Sequence, residues 1–299
     1  MAAQEGFSLS QEDFIASPAT KGSSANPGRN PFLIDEPTVI SFSGGRTSAY
    51  MLWRVLEANQ GLPEEAIVCF ANTGKEEEAT LEFVRDCEQN WGVEIHWLEY
   101  RSSKDFARVN FETASRNGEP FEQIIKERKM LPNTRARFCT VELKIRTVKR
   151  YLQSIGWDEW LNMIGIRHDE QRRVIKMQPD SKADTPIMPL AEAGIVKKDV
   201  LDFWGRSSFD LKLPVINGET IGGNCDLCFL KALPKITTLV AQKPERAIWW
   251  AKMEDWAQTQ TSGDGNRFRI DRPRYADIHK FIDRQSDMFE DSIECFCGD

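Results

Sequence analysis

The stretch Val39-Ile40-Ser41-Phe42-Ser43-Gly44-Gly45-Arg46-Thr47-Ser48 constrains the fold of this chain more than any other. Val39 to Phe42 is short, apolar and β-branched, which reads as a buried strand. Ser43-Gly44-Gly45 is a turn that only small residues allow. From Thr47 the sequence has helical character through Leu56. Strand, glycine turn and helix N-terminus together form an anion site, because backbone N–H groups converge there and the helix dipole favours negative charge. Ser43, Thr47 and Ser48 add hydroxyl donors, and Arg46 adds a fixed positive charge for a phosphate. No Gly-Lys-Ser/Thr ending follows, so this is not the nucleotide-binding loop that ends that way.

Downstream, the pattern repeats. Ala66 to Phe70 reads as a second buried strand ending in a turn at Ala71 to Glu76, and Glu77 to Trp91 has helical spacing. Val93 to Leu98 alternates as a third strand, and Trp160 to Ile164 forms another that leads into Gly165-Ile166-Arg167. Alternating strands and helices predict an α/β fold, a doubly wound parallel sheet with helices on both faces. Ligands of such sheets sit beyond the carboxyl ends of the strands, where the turns at Ser43 and Asn72 both fall. Residues 101–135 are polar and are expected as a loop and helices over that cleft.

Residues 1–35 are polar and rich in Ser, Pro and Gly, and read as a tail with little catalytic content. The nucleotide-binding α/β domain is expected over 36–190, followed by a helical, cysteine-bearing extension over 191–299. Within the extension Trp249, Trp250 and Trp256 read as packed helical core, and Arg267, Arg269, Arg272 and Arg274 as a solvated loop. The chain carries 39 Lys+Arg against 46 Asp+Glu, a formal charge of −7, which argues against bulk nucleic-acid binding but leaves room for a local basic patch. No apolar run approaches membrane-spanning length and no secretory signal opens the chain, so a soluble, cytoplasmic protein without membrane contact is expected.

Seven cysteines are present: Cys69, Cys87, Cys139, Cys225, Cys228, Cys295 and Cys297. Cys69 and Cys87 lie in apolar runs and read as core. Cys225-Asp226-Leu227-Cys228 is a Cys-x-x-Cys pair, able to chelate one metal or iron–sulfur cluster or to form a redox disulfide. One pair cannot complete a four-cysteine site. Cys139, flanked by Arg135, Arg137 and Lys144, is the expected third ligand, and Cys295 or Cys297 the fourth. Zn²⁺ and a 4Fe–4S cluster both suit such a set. The basic neighbours of Cys139 also suit phosphate or sulfate, and positive charge lowers a thiol pKa.

Ser43 to Ser48 resembles the Ser-Gly-Gly-x-x-Ser pyrophosphate loop of the PP-loop superfamily. Three further segments widen the likeness to its phosphoadenosine-phosphosulfate (PAPS) reductase family. Asn72-Thr73-Gly74 with Glu76 to Glu78 is similar to that family's Asp-Thr-Gly…Glu-Thr segment, with Asn72 in place of Asp. Cys139-Thr140-Val141-Glu142-Leu143-Lys144 is similar to its Cys-x-x-x-Leu-Lys segment. Gly165-Ile166-Arg167 before Asp169 also recurs there. The resemblance implies a HUP-like fold and an adenine nucleotide, either ATP, with Mg²⁺, or a PAPS- or APS-type sulfonucleotide. It implies nucleotide contacts from Ser43, Gly44, Gly45, Arg46, Thr47, Ser48, Asn72, Thr73, Gly74, Arg135, Arg137, Lys144, Gly165 and Arg167. It implies one of two chemistries. In the first, a thiol reduces a sulfonucleotide: Glu294-Cys295 is similar to the family's reactive tail, Cys295 attacks sulfur, Arg46 assists, and a thioredoxin-like dithiol regenerates the enzyme. In the second, ATP adenylates a nucleic acid or small molecule and sulfur from a donor, cluster- or cysteine-bound, replaces the activated oxygen. A nucleotide-binding protein without turnover is the third expectation.

Overall fold

The computed structural model describes residues 29–103, 105–177, 183–216 and 219–278. Its centre is a six-stranded sheet in the order β4-β3-β2-β1-β5-β6. The strands are β1 (Thr38–Phe42), β2 (Ala66–Asn72), β3 (Ile95–Arg101), β4 (Asp105–Val109), β5 (Trp160–Ile164) and β6 (Asp184–Ile187). All neighbours pair in parallel except β3 and β4, which pair antiparallel from Trp97–Val109 to Arg101–Asp105. The expected doubly wound α/β sheet is therefore present.

Side chains alternate between two apolar layers, as the pleat requires. Ile40, Phe42, Val68, Phe70, Ile95 and Trp97 face one layer, packed by α1 (Arg46–Asn59), α2 (Glu78–Trp91) and, from further along the chain, α8 (Lys197–Trp204). Val39, Cys69 and Leu98 face the other, with Tyr151 and Leu152 of α5 (Thr147–Ser154). Cys87 is buried in the first layer and Cys69 in the second, as expected of core thiols.

Two features of the sheet and its flanks depart from the sequence reading. The polar run after β3 holds the antiparallel edge strand β4 before α3 (Glu119–Arg128), so part of it leaves the cleft altogether. Phe32 is 1% exposed in the first layer, with the Asn59 amide donating to its carbonyl at 2.8 Å and the Arg54 guanidinium over its ring. The packed chain thus begins before residue 36. The tail's apolar pair Phe14-Ile15 lies outside the described residues.

The extension does not stand apart from the α/β body. The smaller helices α6 (Gln171–Lys176) and α7 (Pro189–Glu192) precede α8, a two-residue pair β7 (Val215–Ile216) and β8 (Glu219–Thr220) follows it, and then come α9 (Leu233–Gln242) and α10 (Arg246–Gln260). Leu227, Phe229, Ile236, Trp250 and Phe268 from this part share one apolar cluster with Tyr100, Phe121, Ile125 and Leu143. Trp250 is fully buried there, with Trp249 and Trp256 partly buried beside it. The arginines near Gly263 are not a solvated loop. Arg267 donates to the Arg272 carbonyl, Arg272 to the Lys231 carbonyl, Arg269 pairs with Asp271, and Arg274 with Asp255.

Candidate functional site

The strand–turn–helix at Ser43 is built by backbone geometry. Gly44 has φ +78°, and a Cβ there would lie 2.7 Å from Thr80 Cγ2 of α2, so no other residue fits. Gly45 leads into α1, whose first turn contains no acidic residue and no side-chain cap. Its N-terminal donors are left to a ligand or water. Ser48 organises the turn: its hydroxyl donates to the Gly45 carbonyl at 3.0 Å and accepts from the Ser43 N–H at 3.1 Å, with Ser43 Oγ at 2.9 Å. Gly165, at the end of β5, brings its backbone against Ser48, where a Cβ would meet Ser48 Cα at 3.2 Å.

A cavity of about 460 Å³ opens from this turn across the second face of the sheet. Ser43, Ser48 and Gly165 lie at its polar end, and Val39, Ala71, Trp160, Ile164 and Pro186 form much of its floor. Its other wall comes from one helical rod. The rod begins as α4 (Phe138–Thr140), widens into a π-helical stretch (Val141–Arg146), and continues as α5. Thr140, Val141, Lys144, Ile145, Val148 and Lys149 of that rod face the cavity, together with Arg137 just before it. A π-turn changes which side chains share a helix face, and such turns gather at functional sites.

Of the residues expected at a nucleotide, Ser43, Ser48, Arg137, Lys144 and Gly165 line this cavity. Arg46 does not. Its guanidinium is bidentate on Asp210 at 2.7 and 2.8 Å and also reaches Thr220 and the Leu211 carbonyl, which pins the segment after α8 onto α1. The charge expected to face phosphate or assist catalysis is spent on this clamp. Arg167 donates to Thr47 Oγ1 at 3.0 Å and pairs with Asp169, so it braces the loop from behind. Arg135 is exposed outside the cavity.

The second loop is also closed on itself. The Glu76 carboxylate accepts from the Thr73 N–H and hydroxyl, both at 2.9 Å, and from the Lys75 N–H at 3.2 Å. Asn72 Oδ1 accepts from the Gly74 N–H, while its amide nitrogen donates to Glu99 at 2.7 Å. The donors of Asn72-Thr73-Gly74 that a phosphate would need are thus met internally.

Sequence reasoning missed Ser41, Cys69, Trp160, Asn162, Asp184, Lys149 and Lys176, which also line the cavity. A signal existed for some of them. Val39, Ser41 and Ser43 share one face of β1 at period two, as do Trp160, Asn162 and Ile164 in β5. Ser41 donates to Asn162 across the two strands at 2.8 Å. These two polar side chains stand among apolar neighbours on that face, and both line the cavity.

Three of the cysteines, Cys139, Cys225 and Cys228, belong to or pack on one apolar cluster. Cys225 pairs by a single β-bridge with Glu76, and its Sγ lies 3.5 Å from Thr73 Oγ1. Burial pushes the Cys225 thiol well above its ordinary range, Glu76 raises it further, Lys144 pulls it back, and Cys139 adds a small upward push. Lys144 thus lines the cavity while its charge also acts on the Cys225 thiol. The Cys-x-x-Cys loop is held by a buried ion pair, Lys75 Nζ to Asp226 at 3.1 Å, with Trp250 Nε1 donating to the same carboxylate at 2.9 Å. Arg246 pairs with Glu77, whose carboxyl burial pushes up against that pull.

A thiolate-held metal or 4Fe–4S cluster needs three or four donors around one point. Cys139, Cys225 and Cys228 have the right chemistry. Among the described residues, however, no group of three or more His, Cys, Asp or Glu is disposed to hold a metal. Cys225 is turned to Thr73 instead. Cys295 and Cys297 lie outside the described residues.

On the far side of the rod, the buried Glu142 carboxylate gathers Arg128 at 2.5 Å, Arg146 at 2.7 Å and Arg150 at 3.2 Å. Burial pushes its carboxyl up, and these guanidiniums outweigh burial, leaving it below the ordinary range.

Among relatives, an uncharacterized nin region protein of Escherichia phage lambda is 32% identical over 209 residues, which is 66% of this chain and 67% of that protein. An uncharacterized protein of Methanocaldococcus jannaschii is 30% identical over 137 residues, 46% of this chain but only 24% of that protein's length. Two solved structures resemble the chain in outline. One is a phosphoadenylyl-sulfate (PAPS) reductase from Candida auris in a phosphate complex (TM-score 0.38, 14% identity, 57% of this chain and 72% of that one). The other is the U34-tRNA thiolase NcsA from Methanococcus maripaludis with its 4Fe–4S cluster (TM-score 0.40, 15% identity, 89% and 86%). At these scores neither bears on the chemistry. The phosphoadenosine phosphosulfate reductase domain profile matches residues 37–193. That span takes in the glycine turn, the Glu76 loop, Cys139 with its rod, and the Gly165 strand end, and by this match the chain belongs to the phosphoadenosine phosphosulfate reductase domain family.

Proposed function

We propose that the protein binds an adenine nucleotide in the cavity beside Ser43 and Ser48 and performs sulfur chemistry on it with the adjoining thiols. One observation carries this reading: a single helical rod supplies both Cys139 and the cavity wall, and Lys144 on it reaches the cavity and the field of Cys225. The base would lie on the apolar floor and the phosphates at the Ser43 turn, where the uncapped helix N-terminus, Arg137 and Lys144 favour negative charge.

In the reductive form, a thiolate attacks the sulfate sulfur of the sulfonucleotide. The S–O bond to phosphate breaks, the nucleoside phosphate leaves, and an S-sulfocysteine forms. A second thiol displaces sulfite and closes a disulfide, which an external dithiol reopens. Cys295 is the attacking thiol in this scheme. The second reading is ATP-dependent sulfur transfer: ATP adenylates an acceptor oxygen and pyrophosphate leaves, the outer sulfur of a cysteine persulfide supplied by a sulfur donor attacks the activated carbon, AMP departs with the oxygen, and a second thiol cleaves the S–S bond to leave the sulfur on the acceptor and a disulfide that an external dithiol reopens. The complete Ser-Gly-Gly-x-x-Ser loop favours it.

The deciding assay uses the full chain with either PAPS plus a dithiol or ATP plus candidate acceptors. Sulfite release from PAPS, lost in Cys295→Ser, supports reduction, and pyrophosphate release from ATP supports transfer. Ser48→Ala should weaken nucleotide binding about tenfold and Lys144→Ala about 10- to 100-fold. Failure of the unaltered protein to bind either nucleotide at millimolar concentration would overturn both readings.

A further inference from the structure

The rod that walls the cavity carries its cavity residues in two rows with a step of four: Thr140, Lys144 and Val148 in one, Val141, Ile145 and Lys149 in the other. An α-helix closes a turn in about 3.6 residues, so each step of four overshoots by about 40°. Over two steps the overshoot would reach about 80°, and the ends of each row would face different ways. The π-helical stretch Val141–Arg146 takes up that drift, because its i→i+5 bonds need more residues to close a turn. The far face of the rod keeps the same step. Glu142, Arg146 and Arg150 form a third row, in which the Glu142 carboxylate grips both arginines and also Arg128 of α3. Glu142 is the sole acid between Phe138 and Ser154, and its side chain is 5% exposed. Its carbonyl accepts from the Thr147 hydroxyl, five residues on, at 2.8 Å. Runs of π-helix are rare and sit poorly without outside support. Here the support is a carboxylate tied to a second helix.

We propose that Glu142 is a positioning residue: by gathering Arg128, Arg146 and Arg150 it holds the rod in π-helical register, and that register keeps Lys144 on the cavity wall. The inference rests on the nucleotide reading of the cavity for its affinity readout alone. Glu142 lies on the far side of the rod and does not line the cavity, so it acts through the helix and not on a ligand. The rod is anchored at its other end, where Tyr151 and Leu152 of α5 are buried with Val39 and Leu98 of the sheet. Release of the stretch into α-helical winding would therefore turn the part that precedes α5, carrying Thr140 and Lys144 off the wall. The sign of the charge separates this device from a simple field effect. Loss of one negative charge near the cavity raises its positive potential and would tighten a phosphate ligand. Loss of the register removes Lys144 and weakens it.

The test is ATP affinity of the full chain, by equilibrium dialysis, for the parent, Glu142→Gln, Lys144→Ala and the double variant. Glu142→Gln should weaken binding about tenfold, and should add little once Lys144 is gone. Unchanged or tighter binding by Glu142→Gln overturns the proposal. So do losses that multiply to within about twofold in the double variant, since they would mark a general structural effect. Should Glu142→Gln fail to fold, Arg128→Gln runs the same cycle, because it removes a half-exposed partner that another helix supplies. A loss through the field of Arg128 alone would multiply with that of Lys144→Ala, whereas a loss through the register would not. A crystal structure of whichever variant folds, without nucleotide, reads the register directly. Winding of Val141–Arg146 as α-helix with Lys144 turned from the cavity supports the proposal, and an intact π-helical stretch overturns it. If the parent binds neither ATP nor PAPS, the nucleotide reading falls, and that structure still decides whether Glu142 sets the register.

Discussion

Asn72 ends β2 with its amide nitrogen 2.7 Å from a Glu99 oxygen, and neither side chain is reached by solvent. The amide donates where the resembling families carry a carboxylate. Asn72→Asp would set two carboxylates together in a dry site, and one of them must take up a proton on folding. The pair's folded-state pKa is then raised, so its stability is intact at low pH and lost as pH rises through that value. The variant should be about 2–4 kcal/mol less stable than the parent at pH 8, with the deficit shrinking toward pH 5. Urea unfolding at both pH values checks this, and a deficit that does not change with pH would contradict it. At this scale the sequence was partly legible. Gly44 and Ser48 could be read because a glycine turn has few uses. The fates of Arg46 and Asn72 could not, because their partners Asp210 and Glu99 are distant in sequence and carry no motif.

The Cys-x-x-Cys loop is positioned by an element contact rather than by its own sequence. Lys75 leaves the turn after β2 and meets Asp226 between the two cysteines, with both side chains about nine-tenths buried. Trp249 lies under the Lys75 ammonium, 5.2 Å from its ring centre. Removing either partner strands the other charge, so Lys75→Met and Asp226→Asn should each cost about 3–5 kcal/mol. The double variant should cost less than the sum of the two, because the stranded charge is gone. Chemical unfolding of all four proteins tests this, and single costs that add to within about 0.5 kcal/mol would show the pair uncoupled. The elements themselves were legible where periodicity was strong, in β1, α1, β2 and α2. The edge strand β4 was not. Asp-Phe-Ala-Arg-Val is too short and too polar to announce itself, and it becomes a strand only by pairing with β3. The π-helical stretch has no composition of its own either, yet it decides which rod residues face the cavity.

At the scale of the molecule, the cavity lies between two bodies of structure. Its floor is the β1–β5–β6 face, and its wall is a rod whose Leu143 belongs to the cluster centred on Trp250. That cluster draws residues from Tyr100 to Ile278, so side chains from both sides of residue 190 pack together. A nucleotide in the cavity touches both bodies, so it should stabilise the whole chain and not one lobe. At about 100 times Kd the gain is about 2.7 kcal/mol. For a chain of 299 residues that is a rise in Tm of roughly 4–5 °C. The rise should appear as one transition, and it should shrink as salt is raised from about 50 to 500 mM, because Arg137, Lys144, Lys149 and Lys176 attract the phosphates through a screened field. Ser48→Ala should reduce the shift at fixed nucleotide concentration while leaving its salt trend in place, since the hydroxyl shapes the turn and the lysines supply the charge. Differential scanning calorimetry with ATP and with PAPS makes the comparison. A shift confined to one of two resolved transitions would separate the rod from the sheet, and no shift with either nucleotide would remove the cavity as their site.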